Sequence, residues 1–139
     1  MKTSLIVRTL VTLGLSAVLS PVALLAQVQL NAKIPFAFTV GTKSFAPGDY
    51  SVNQLSEGRA LLIRNHKDGT SVITMVMPGE ESKKAGTAVM VFKQYGNQYF
   101  LSAVSEDSRG WRLLPSRAEK ELIAKVTAPQ PVVVAAASK

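Results

Sequence analysis

The chain is expected to be mainly β: an antiparallel β-sandwich or small barrel of six to seven strands with one C-terminal helix. Three observations predict this. Apolar residues make up 47% of the chain and charged residues 18%, the balance of a folding chain rather than a disordered one. Short apolar alternations recur between turn residues about every ten positions, the spacing of a sandwich or barrel. A Pro-Ser-x-x-Glu start appears only once, at Pro115, ahead of an amphipathic run.

The first segment reads as an address. Lys2 and Arg8 precede an uncharged apolar run from Leu10 to Leu19, Pro21 breaks that run, and Ala26 offers a small exit residue. Residues 1–26 are therefore expected to be a signal peptide. The alternative is an uncleaved anchor, against which the run is short of the roughly 20 residues that a span needs; with the segment removed, no membrane span is expected. Without Lys2 and Arg8 the 16 basic residues fall to 14 against 9 acidic, a net charge of +5. These charges are scattered rather than striped, which is not a nucleic-acid footprint. The 139 residues contain no cysteine, which excludes a disulfide framework and a thiolate metal site.

Residues 27–126 are expected to form the β-rich domain. Ile34, Phe36, Phe38 and Val40 alternate with Pro35, Ala37 and Thr39, as in a half-buried strand. Pro35 donates no ladder hydrogen bond, so this strand is placed at an edge. Leu61 and Ile63 begin another inward face. A three-residue Lys67-Asp68-Gly69 loop would pair Ile63 with Ile73 and Leu61 with Met75.

The organising hairpin spans Val89 to Val104 and turns at Gly96-Asn97, where glycine reaches positive φ freely and asparagine tolerates it. A two-residue loop pairs Tyr95 with Gln98, Phe92 with Leu101 and Met90 with Ala103. One face then carries Met90, Phe92, Tyr99, Leu101 and Ala103; the other mixes Val91 and Phe100 with Lys93 and Ser102. Because Val89 to Phe92 is apolar on both faces, this is expected to be a central strand with a helix over its second side. Trp111 to Leu114 forms a short last strand.

Ser116 is expected to cap the helix while Glu119, three residues on, reaches back to the cap. Leu122, Ile123 and Val126 give the helix an apolar stripe for the sheet. Pro129 and Pro131 end it. Residues 127–139 are expected to be a disordered tail, with Val132-Val133-Val134 able to add a strand at a free edge.

Together these motifs resemble a group of small exported β-rich proteins of unassigned function from acidobacterial genomes. The shared wording is Ile34-Pro35-Phe36-Ala37-Phe38-Thr39-Val40-Gly41, Pro47-Gly48-Asp49-Tyr50-Ser51-Val52, Tyr95-Gly96 with Tyr99-Phe100-Leu101, and Leu114-Pro115-Ser116 before a Glu-containing helix. The resemblance covers about Ile34 to Lys125. It implies a bacterial envelope or secreted location and a β-rich fold, and it brings no catalytic residue, cofactor or substrate.

The chemistry-bearing residues are sparse. His66 is the lone histidine and sits at a hairpin tip, where a polar turn residue is the plain explanation. Glu80-Glu81 and Glu106-Asp107 are adjacent pairs, and neighbours on an extended chain point apart, which does not make an acid/base dyad. No glycine-rich phosphate cradle precedes a helix. No catalytic residue, metal or cofactor is expected. Tyr95, Tyr99 and Trp111 are the candidate binding residues, weighed against cross-strand stacking for the tyrosines and a core position for the tryptophan. The expected role is a non-catalytic secreted or periplasmic β-domain acting through protein or envelope-surface contacts. A barrel carrying an apolar ligand is the alternative, and a minimal hydrolase ranks below both.

Overall fold

The computed structural model describes residues 29–81, 86–125 and 128–138. The expected leader, residues 1–26, lies outside them.

Ten strands and one α-helix form among the described residues. In chain order the strands are β1 (Gln29–Ile34), β2 (Phe38–Val40), β3 (Lys43–Phe45), β4 (Gly48–Leu55), β5 (Ala60–Asn65), β6 (Ser71–Pro78), β7 (Ala88–Tyr95), β8 (Gln98–Glu106), β9 (Arg109–Leu113) and β10 (Gln130–Ser138). Helix α1 (Arg117–Lys125) lies between β9 and β10. Eight strands close on themselves in the order β8-β7-β10-β1-β4-β5-β6-β9 and back to β8. Every pairing around that ring is antiparallel. The class is therefore mainly β, and a closed barrel rather than a sandwich. Its strand number exceeds six to seven because the N-terminal alternation splits in two and the tail supplies a strand.

That split is at Pro35. The chain read as one strand from Ile34 to Val40 ends β1 at Ile34, leaves the sheet over Pro35-Phe36-Ala37 and resumes as β2. A residue without an N–H ends the ladder at small cost. β1 is not an edge, since β10 and β4 flank it. The β2–β3 hairpin leans on the barrel through one parallel pairing, Thr39 with Phe100, while the other half of β8 pairs with β9. Phe38 and Phe45 of this hairpin stack at 5.3 Å and meet Tyr50 edge-on at 4.9 and 5.8 Å.

Residues 130–138 form β10, in place of the disordered tail expected over 127–139. Nor does β10 sit at a free edge. It is inserted between β7 and β1, with Val132 opposite Phe92 and Ala136 opposite both Ala88 and Ala32. Val132, Val134 and Ala136 pack on the core, so the alternation that looked like a loose end is one inward face of the ring.

The barrel interior is filled by its own side chains. Leu30, Ile34, Tyr50, Val52, Leu61, Ile63, Met90, Phe92 and Val104 are all fully buried. Each large aliphatic or aromatic group enclosed this way contributes about 1.5–3 kcal/mol.

Two registers differ from expectation. In β5–β6, Ile63 pairs with Val72 and Leu61 with Thr74, so Ile73 and Met75 point outward and are 63% and 67% exposed. The cause is Asn65: its side-chain Oδ1 accepts the amides of Lys67 (2.7 Å) and Asp68 (3.2 Å), holding a turn one residue longer than Lys67-Asp68-Gly69. In β7–β8, Tyr95 meets Gln98 and Phe92 meets Leu101 as the two-residue loop requires. A bulge then inserts Ser102, and Met90 meets Val104 instead of Ala103. An extra residue turns the following side chains over. Ala103 therefore leaves the interior, and Val104 takes its place.

Candidate functional site

The bulge helps to line a concavity outside the barrel. With Ser102 inserted, Ser102 and Ala103 both face the outer side of β8, beside Val89, Val91 and Lys93 of β7 and Arg112 of β9. Pro78, Gly79, Glu80 and Glu81 wall the other flank. The cleft has a volume of about 670 Å³, within the ~300–1,000 Å³ of small-molecule sites.

That flank stays close because two glycines let backbone meet backbone. The Gly79 amide donates to the Gly110 carbonyl at 2.9 Å. A Cβ on Gly110 would stand 1.8 Å from the Glu80 carbonyl oxygen, so no other residue fits there without parting the two segments.

Lys93, Ser102 and Arg112 also line a smaller cavity of about 190 Å³ that runs under α1 past Leu113, Leu114, Pro115 and Glu119. The two hollows thus share a cationic middle. Lys93 is half-buried and Arg112 exposed. Among the described residues the ion pair found is Arg117 with Glu121 at 3.5 Å, and neither Lys93 nor Arg112 takes part in one.

The roof over the smaller cavity is α1. Ser116 Oγ accepts the Glu119 amide at 3.2 Å, which is half of the expected capping box. The other half is replaced. Glu119 does not turn back to the cap; its Oε1 accepts the Tyr95 hydroxyl at 3.0 Å, and the residue is only 5% exposed. A carboxylate in the first helical turn also gains from the N-terminal dipole. Burial, and then the hydrogen bond and charge of Glu119, push the Tyr95 hydroxyl up to about 12. The expected stripe of Leu122, Ile123 and Val126 does not face the sheet as a unit. Leu122 is half-buried, Ile123 is exposed, and the side chain of Val126 lies outside the described residues. Turning Glu119 inward rotates the helix away from Ile123.

The three candidate binding residues do not meet. Tyr95 is 3% exposed, on the outer face under α1, with its ring against Phe100 at 5.7 Å. Tyr99 is half-buried and stacks on Phe36 at 4.1 Å. Trp111 is buried in the core cluster. The acidic pairs are likewise dispersed: Glu106 accepts the Ser138 hydroxyl, Asp107 accepts the Gly86 amide, and Glu80 and Glu81 wall the cleft. His66 is exposed at its hairpin and spends its amide on the Asp49 carbonyl. Among the described residues, no three of His, Cys, Asp and Glu converge as a metal site would need.

Lys93 and Arg112 were not singled out by sequence. The available signal was the mixed face of the hairpin, where Lys93 and Ser102 interrupt Val91 and Phe100. An outward apolar face with one cation on a central strand marks a surface that something else covers in part. Comparison of the chain with protein-family models, with curated proteins and with solved structures finds no match in any of the three.

Proposed function

We propose that this chain is an exported, non-catalytic β-barrel domain, secreted or held in a bacterial envelope, that works through contacts on its outer face. The observation that carries the reading is the division of labour between inside and outside. Large apolar side chains occupy the interior, whereas the cleft of about 670 Å³, with Lys93 and Arg112 in its lining, lies outside the ring. An apolar walled cleft with a few placed polar groups is the usual form of a recognition site. Export is supported by the charged start and the apolar run before Gln27, and the bacterial setting by the resemblance of Ile34–Lys125. A closed ring of eight strands can hold one small ligand, but Phe92, Tyr50 and Leu61 stand where an interior ligand would lie, which favours outer contacts over interior carriage.

The test is native mass spectrometry of the processed protein recovered from its own envelope, wild type beside Val91→Glu. The wild type is expected to begin at Gln27 and to carry a partner of discrete mass that Val91→Glu has lost. Bare monomer in both preparations would sink the contact reading. An apolar molecule retained by both would move the site into the barrel.

A further inference from the structure

The register gives the cleft a direction along β7. Lys93 stands at the end next to the smaller hollow, which Arg112 also lines; Val91 is level with Ala103 and Arg112; and Val89 is level with Ser105 and Gly110, where the Glu80 backbone closes in. From Lys93 to Val89 the strand advances four residues, about 13 Å at the usual rise and close to the length of a ten-carbon chain. We propose that this cleft binds a single-chain aliphatic carboxylate, its head between Lys93 and Arg112 and its tail along Val91, Val89 and Ala103.

Charge and shape argue for this class together. Glu119, which lines the smaller hollow with the two cations, is already engaged by the Tyr95 hydroxyl, and Glu80 and Glu81 of the larger cleft make no ion pair with either cation. Lys93 and Arg112 stay without an acidic partner among the described residues. An arginine fork beside a lysine point charge suits a carboxylate, and charge-assisted hydrogen bonds of that kind are the strong ones. Ser102, placed on this face by the bulge, adds a hydroxyl beside both cations. The acidic far end repels a second carboxylate, so the chain is required to carry its charge at one end only. A bilayer surface would meet the cations but not the walled tail channel. The inference goes beyond the contact reading, and each can fail without the other.

The experiment is isothermal titration of sodium decanoate, below its micellar range, into the processed full-length protein. Acetate serves as the head-only control, and vesicles of anionic phospholipid as the surface control. Decanoate is expected to saturate one site and acetate to give no heat. The double variant Lys93→Met/Arg112→Met should bind decanoate roughly tenfold or more weakly. Ala103→Trp, which fills the tail channel, and Val91→Glu, which puts a charge in it, should each abolish binding while the far-ultraviolet β signal and the cooperative unfolding transition are kept. No saturable binding of decanoate, affinity unchanged in the cation double variant, or binding to vesicles alone would each overturn the proposal.

Discussion

Phe92 and Glu119 stand on opposite sides of the β7–β8 ribbon, and both are buried. Phe92 is 0% exposed and meets Phe36 and Phe38 edge-on at 5.0 and 5.4 Å. Glu119 is enclosed with one specific partner, the Tyr95 hydroxyl. Apolar enclosure is non-directional and proportional to area, so the interior tolerates small rearrangements without losing its basis. Enclosure of a carboxylate depends on one donor in one place, because an ion taken out of water is costly unless hydrogen-bonded. The ring is therefore built to persist, whereas the position of α1 hangs on a single polar contact and its cap.

Four substitutions and one titration sharpen that contrast. Phe92→Ala should cost about 3–5 kcal/mol in urea unfolding, as for buried aromatics generally; a loss under about 1 kcal/mol would mean the interior collapses around the gap. Tyr95→Phe leaves Glu119 buried without its donor and should cost about 1–3 kcal/mol, with the loss concentrated in helical ellipticity rather than in the β signal.

The same pair sets an alkaline limit. The Tyr95 hydroxyl ionises near 10 in the unfolded chain and at about 12 when folded. A group raised on folding favours the folded state below its unfolded value, and that advantage is lost as pH climbs through the window from about 10 to about 12. Wild type should therefore lose stability relative to Tyr95→Phe as pH rises from about 10 to about 12. Parallel curves for the two proteins would show that the hydroxyl is solvated.

Ser116→Ala removes the cap on the Glu119 amide and should cost about 1 kcal/mol, read as earlier fraying of α1 by hydrogen exchange. Met75→Ser, on the exposed outer side of β6, should change stability by no more than about 0.5 kcal/mol. A larger effect would mark that stripe as covered in solution.

Local patterning made the Gly96-Asn97 hairpin, the Ser116 cap and the β class readable, because each is decided within a few residues. The Ser102 bulge was not readable: nothing in Ser102-Ala103 distinguishes an inserted residue from a continued alternation, and it is the packing of Val104 against the core that selects it. The longer turn at Asn65 depends on a side chain accepting two backbone amides, a choice that the apolar pairing of Ile63 with Ile73 masks. The place of β10 is set by the vacancy between β7 and β1, a contact across more than a hundred residues on one side. The cleft was hidden for the same reason. Lys93 and Arg112 become neighbours only through β8, and Glu119 joins them only because α1 rotates its carboxylate inward.

The insertion of β10 also orders events in time. Until residues 130–138 arrive, β1 and β7 each present an unsatisfied row of amides and carbonyls, and the ring stands open along a full seam. A chain emerging from its N-terminus cannot seal this ring while synthesis is under way. Closure waits for β10, which makes the last described strand the latch of the ring.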